Sequence, residues 1–144
     1  MDETLTPVQK FLVSETEKIH AIPKFLQPYF IEIEARTQDF LRRFSTDYTG
    51  GNWNYYQLSS GGFFMAPSSR KFYRVEVPQN YFSEEVDAEA AGLIAFLYAV
   101  NLKLASQHDS PNGPDRNLNS LYYDVLRYAV SQTPYKTKIA CAID

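Results

Sequence analysis

The chain has 144 residues, 44% of them hydrophobic, with 14 Lys and Arg against 17 Asp and Glu, two His and one Cys. That length suits one domain with a core that buries roughly 70% of the unfolded chain's surface without a disulfide or structural metal, and the composition excludes collagen-like, low-complexity and disulfide-scaffold classes. A net charge of −3 supplies no basic excess for sequence-independent binding to phosphates, and it is far too small to imitate a DNA backbone, which carries one charge about every 1.7 Å of axis.

The start, Met1-Asp2-Glu3-Thr4, is acidic and lacks the positive and apolar regions of a secretory signal. The longest unbroken apolar run, Ala90 to Val100, has 11 residues, against about 20 for a membrane span. A lone Cys141 forms no internal disulfide, in keeping with a reducing compartment. A cytoplasmic protein without membrane contact is the expectation.

In residues 1–22, Val8, Phe11, Leu12 and Ile19 sit at near-helical spacing between Pro7 and Pro23, which predicts an N-terminal arm or short helix. Residues 23–144 read as the main domain. Leu26, Tyr29, Phe30, Ile33, Thr37, Phe40, Leu41 and Phe44 recur at steps of three and four, the signature of one helix face. Charged residues fall largely opposite, and Gly50-Gly51 follows the expected end near Asp47.

The period then changes from 3.6 to 2. Residues 53–58 read as an aromatic strand, Ser59-Ser60-Gly61-Gly62 as a turn, and Phe63-Phe64-Met65-Ala66 as the returning strand before Pro67. Residues 72–77 alternate again, with Tyr73, Val75 and Val77 on one face. Short connections predict that these three strands form one antiparallel meander. Ser83 or Asp87 then caps a second helix whose first turns hold Glu84, Glu85 and Glu89. From Ala90 to Leu104 that helix is apolar nearly all round and belongs in the centre of the core. His108 to Asp115 form a polar loop. Leu118, Leu121, Tyr122, Val125, Leu126 and Ala129 mark a third helix, and Thr133-Pro134 starts a last short one through Ile139 and Ile143. The fold class expected is α+β: a single domain with a three-stranded antiparallel meander packed with about four helices.

Catalytic patterns are absent. His20 and His108 lie far apart in the chain, without Cys or carboxylates at metal-ligand spacing, and no P-loop, GxGxxG, GxSxG or HExxH occurs. No catalytic residue, metal ligand or cofactor is assigned. Cys141, among Ala140, Ala142 and Ile143, reads as a small buried hydrophobe. From Glu76 to Asp115 there are seven acidic residues and one basic residue, Lys103, read either as an acidic patch for a basic partner or as helix-terminus charges. The densest signal is the glycine-hinged aromatic hairpin from Thr49 to Pro67. Its aromatics are open to two readings, a protein-binding face or a covered sheet whose rings only pack.

That hairpin resembles the pattern of the ArdB/KlcA type of antirestriction proteins, borne by plasmids and phages. It stands here as Gly50-Gly51-Asn52-Trp53, Tyr55-Tyr56, and Leu58-Ser59-Ser60-Gly61-Gly62-Phe63-Phe64-Met65-Ala66-Pro67. Asp87-Ala88-Glu89-Ala90-Ala91-Gly92-Leu93-Ile94-Ala95 is similar to the family's central helix, and Ala142-Ile143-Asp144 to its end. Ser60 replaces the usual Asn and Asn52 a usual aromatic. The similarity spans about residues 23–144.

The resemblance implies protection of incoming mobile DNA from host type I restriction-modification enzymes, without DNA mimicry, catalysis or cofactor. The implied partner is the restriction-modification complex or an accessory host protein. Trp53, Tyr55, Gly61 and Gly62 are candidate contacts on the hairpin. Asp144 joins them because a terminal Asp carries two negative charges suited to a basic pocket. Two other classes stand beside this reading. One is a small DNA-binding accessory protein of a mobile element using Arg42, Arg43, Arg70 and Lys71; the other is a carboxylate-dependent enzyme with a deep polar pocket.

Overall fold

The computed structural model describes residues 7–144. In chain order it contains β1 (Lys10–Leu12), α1 (Lys18–Ala21), α2 (Gln27–Phe44), β2 (Trp53–Leu58), β3 (Phe63–Pro67), β4 (Phe72–Val77), β5 (Phe82–Asp87), α3 (Ala88–Ser106), α4 (Arg116–Ser131) and α5 (Lys136–Ile143). The acidic residues Met1 to Thr4 lie outside the described part.

Burial follows the sequence pattern most closely in the long helices. Phe30, Ile33, Thr37, Leu41 and Phe44 are the enclosed residues of α2, and the Thr37 hydroxyl donates to the Ile33 carbonyl at 2.7 Å, which satisfies it inside the core. α3 is long and apolar enough to pass for a membrane span by composition, yet 61% of its apolar window is buried inside the protein. It is the core helix. Asp87 caps it by accepting from the Ala90 amide at 2.8 Å, and Asp115 caps α4 by accepting from the Asn117 and Leu118 amides.

The α+β class holds, with a different strand pairing. Three strands form one antiparallel sheet in the order β1-β2-β3, and β4 pairs with β5 in a separate two-stranded ribbon. The third strand of the sheet is therefore residues 10–12, from the segment expected to be an arm or short helix; that segment also supplies the one-turn helix α1. Residues 72–77 keep Tyr73, Val75 and Val77 fully buried on one face, but their partner is β5. Ser83, Glu84 and Glu85 thus lie in a strand and not in the first turns of α3. Cys141 is exposed, because α5 turns Ile139 and Ala142 inward and leaves position 141 outside.

Register fixes what each face of the main sheet meets. Tyr55, paired with Met65, and Gln57, paired with Phe63, share one face, where Phe30 of α2 packs edge-on against Tyr55 and Phe63 at 5.5 and 5.8 Å. Tyr56 and Phe64 share the other, stacked at 5.0 Å, with Tyr128 of α4 beyond. α3 closes the outer side of β3. A Cβ at Gly92 would stand 2.5 Å from the Ala66 Cα and 2.6 Å from the Met65 carbonyl oxygen, so only glycine allows this approach.

Candidate functional site

The hairpin turn is built for close docking. Leu58 donates its amide to the Gly62 carbonyl at 2.8 Å, and the Gly61 amide returns to the Leu58 carbonyl at 2.9 Å. Gly61 sits at φ +101°, a conformation L side chains rarely adopt, and it is exposed. Gly62 is buried because a Cβ there would lie 2.4 Å from the Asp124 carboxylate and 2.9 Å from the Leu58 side chain. The Ser60 hydroxyl donates to the same Asp124 at 2.7 Å, tying the turn to α4. Between turn and helix lies an open hollow of about 290 Å³, bordered by Phe25, Asn117, Ser120 and Arg127 as well as the turn.

Trp53 and Tyr55 face inward. Trp53 is 4% exposed and donates its indole N–H to the Tyr48 hydroxyl at 2.9 Å. Tyr55 is 9% exposed, and its hydroxyl donates to Glu34 on α2 at 2.8 Å. Burial, reinforced by the Glu34 carboxylate, pushes the Tyr55 phenol well above its ordinary range. What the strand presents outward is Asn54, Tyr56 and Gln57. The Lys10 ammonium sits 5.2 Å over the Tyr56 ring. Asp144 is exposed at the end of α5 and belongs to another part of the surface. There Asn80 and the Tyr98 hydroxyl donate to the Ala142 carbonyl at 2.6 and 3.0 Å, pinning the terminus to the β4–β5 turn. The structure joins Gly61 and Gly62 to Asp124 and leaves Asp144 apart.

Asp124 and Arg127 escaped the sequence reading. They lie on the polar side of α4's amphipathic pattern, where charges need no explanation, and only the contact from Ser60 distinguishes Asp124. Several other carboxylates are individually engaged. Glu89 accepts from Tyr128 at 2.7 Å and Lys10 at 3.2 Å, and Asp115 accepts from Tyr29 at 2.9 Å. Glu32 accepts from Lys103 at 2.9 Å, and Glu84 lies 3.4 Å from Lys138. The seven acidic residues from Glu76 to Asp115 are thus spread over two helix caps, a helix first turn, the α3–α4 loop and the ribbon. Hydrogen bonds from the Leu118 amide and the Tyr29 hydroxyl hold the Asp115 carboxyl below its ordinary range, while burial raises that of Asp87. Among the described residues, no three of His, Cys, Asp and Glu come together as a metal site. The arginines are engaged as well: Arg42 bonds Asp39 at 3.1 Å and lies over the Tyr48 ring, Arg43 lies over the Phe40 ring, and Arg70 lies over Tyr73 and 3.9 Å from Asp47.

Comparison with known proteins gives this arrangement its context. The family model described as antirestriction protein matches residues 46–144. The chain is 34% identical over 139 residues to the antirestriction protein KlcA of Escherichia coli, covering 96% of each. It is 35% identical over 99 residues to another E. coli KlcA, covering 67% of this chain and 68% of that one. A solved structure superimposes with a TM-score of 0.86 at 32% identity, covering 100% of both chains. It comes from the KlcA and ArdB proteins, described as showing a novel fold and antirestriction activity against type I DNA restriction systems in vivo but not in vitro. With the match running from the glycine-hinged hairpin to the last residue and the fold shared end to end, the chain belongs to the antirestriction protein family.

Proposed function

We propose that this protein shields incoming DNA from type I restriction in the cytoplasm by contacting protein, without bond chemistry and without imitating or binding DNA. The observation that carries the reading is the engagement of Asp115, Glu89, Glu32 and Asp87 with four separate structural partners, Tyr29, Tyr128, Lys103 and the Ala90 amide. A duplex mimic needs a dense, repeating anionic track, and a carboxylate enzyme needs acids converging in an enclosed pocket. A net charge of −3 favours a DNA-binding surface no better. Relatives described as active in vivo but not in vitro favour an accessory host protein over the isolated restriction complex as the direct partner.

On this reading the exposed Gly61 turn, with Gly62 seated beneath it, and the exposed Asp144 are contact points. Trp53 and Tyr55 act from underneath, holding the hairpin against Tyr48 and Glu34. Plating of unmodified phage on a type I restricting strain tests the function: expression of the protein raises the efficiency, and unchanged efficiency rejects it. Asp144→Asn in the same assay reduces protection if the terminal charge is a contact, and full retention removes that residue from the set.

A further inference from the structure

In an antiparallel pair, alternate residues of a strand turn their N–H and C=O toward the partner and the rest turn theirs away. Gln9, Phe11 and Val13 face β2: Ser59 donates to the Gln9 carbonyl at 2.8 Å, Phe11 pairs with Gln57, and Val13 donates to the Tyr55 carbonyl at 2.9 Å. Val8, Lys10, Leu12 and Ser14 therefore face outward. The Val8 amide is taken by the Gln132 side chain at 2.8 Å, and the Ser14 carbonyl by the Glu17 amide at 3.0 Å. Between these two closures, Lys10 and Leu12 present backbone groups that nothing among the described residues pairs.

The other outer edges are covered by a helix or capped in part by side chains. α3 lies on β3 at Gly92. On the ribbon, the Arg74 amide is capped by Asp47 at 2.7 Å, Arg70 donates to the Phe72 carbonyl, Arg74 to the Ser83 carbonyl, and Lys138 to the Glu85 carbonyl. Native proteins protect edges in this way because an open one pairs with another chain. Among the described residues, neither a helix nor a side-chain cap guards the β1 window. It is flanked by Phe11 and Leu12, 50% and 62% exposed, and by two hollows of about 390 and 280 Å³ that meet at Ala21 and Gln57.

We infer that the outer edge of β1 receives a short extended segment of the partner protein, added as a further strand, with apolar side chains alternating with lysine or arginine. The backbone window specifies an extended chain, and the exposed Leu12, on the face opposite Phe11, specifies apolar side chains at alternate positions. The rim specifies the charge. Glu17 borders the larger hollow, while Glu15 and Lys18 pair with each other, Lys18 also reaching the Trp53 carbonyl at 2.5 Å, and Lys10 is held by Glu89. Net acid faces the occupant. A second copy of this chain fits poorly, since it would bring the same acidic rim against this one. This surface rests on the reading that the protein acts through protein contacts, and it names the kind of segment contacted.

The test is titration of the full chain with a capped peptide alternating valine and lysine, followed residue by residue by amide NMR. Slowed exchange and shifted resonances at Lys10 and Leu12 are expected. Leu12→Pro removes one outward N–H without removing a bond to β2, and should weaken binding roughly tenfold. Glu17→Lys, at an exposed site outside every strand, should shift preference toward an alternating valine–glutamate peptide. Equal binding by both variants, perturbations mapping elsewhere, or self-association through β1 would each overturn the inference. In the plating assay, a protecting wild type with a fully protecting Leu12→Pro variant also overturns it while leaving the proposed function standing. A wild type that fails to protect rejects that function, and the peptide map still decides the edge.

Discussion

β3 and β1 are the two outer strands of one sheet, and they solve the edge problem in opposite ways. β3 is buried at every position, because Gly92 brings the α3 backbone onto its open side. β1 is exposed at every position, with its neighbours closing only its two ends. The same hydrogen-bonding geometry is structural in one place and available for recognition in the other. Burial goes where the fold needs rigidity, and an unguarded edge persists where a partner can use it.

The comparison is sharpest at two phenylalanines. Phe63 on β3 is fully buried against Phe30, Tyr55 and Phe96, so Phe63→Ala should cost about 4 kcal/mol in denaturant unfolding. Phe11→Ala on half-exposed β1 should cost less than about 1 kcal/mol. Similar costs at both would erase the distinction between the edges.

Gly92→Ala comes next. Its Cβ meets backbone atoms that cannot swing away, which predicts a loss of about 2–3 kcal/mol. A neutral result would mean that α3 does not seal β3 as described. Asp47→Ala uncaps the Arg74 amide on the ribbon, with an expected loss of about 1 kcal/mol and more self-association by light scattering. Asp47→Asn keeps the acceptor and should restore most of both.

The smallest effect concerns α4, which carries Gln132 just past its end to close one side of the β1 window. Asp115 caps the helix, and its folded-state pKa is held below the ordinary 3.8. Its ionised form therefore adds stability at pH above that value, and the gain is lost as pH falls through the lowered folded pKa. Asp115→Ala should cost about 1 kcal/mol at neutral pH and progressively less as the solution is acidified below 3.8. A penalty independent of pH would contradict the capping role.

The sequence made the helices and the hairpin legible for physical reasons, and the same reasons explain what it hid. α2 has one enclosed stripe and α3 is enclosed almost all round, so spacing alone reveals both. Gly61 and Gly62 mark the turn because one needs a positive φ and the other a close approach. β1 is three residues long, too short to display a period of two, and its partner Gln57 is 46 positions beyond Phe11. β5 was hidden by Glu84 and Glu85, which suit a helix start, whereas the strand tolerates them at an edge beside Lys138. Alternation placed Trp53 and Tyr55 on one face. It did not say which face, since the deciding partners, Tyr48 and Glu34, come from α2 and the loop that follows it.

Residue-resolved amide hydrogen exchange on the free protein tests the open edge most directly. Phe11 and Val13, whose amides face β2, should exchange slowly, while Lys10 and Leu12, which alternate with them along the strand, exchange at rates close to those of exposed loops. Equal protection of all four amides would show that the β1 edge is already filled, and the contrast between the two outer strands would be wrong.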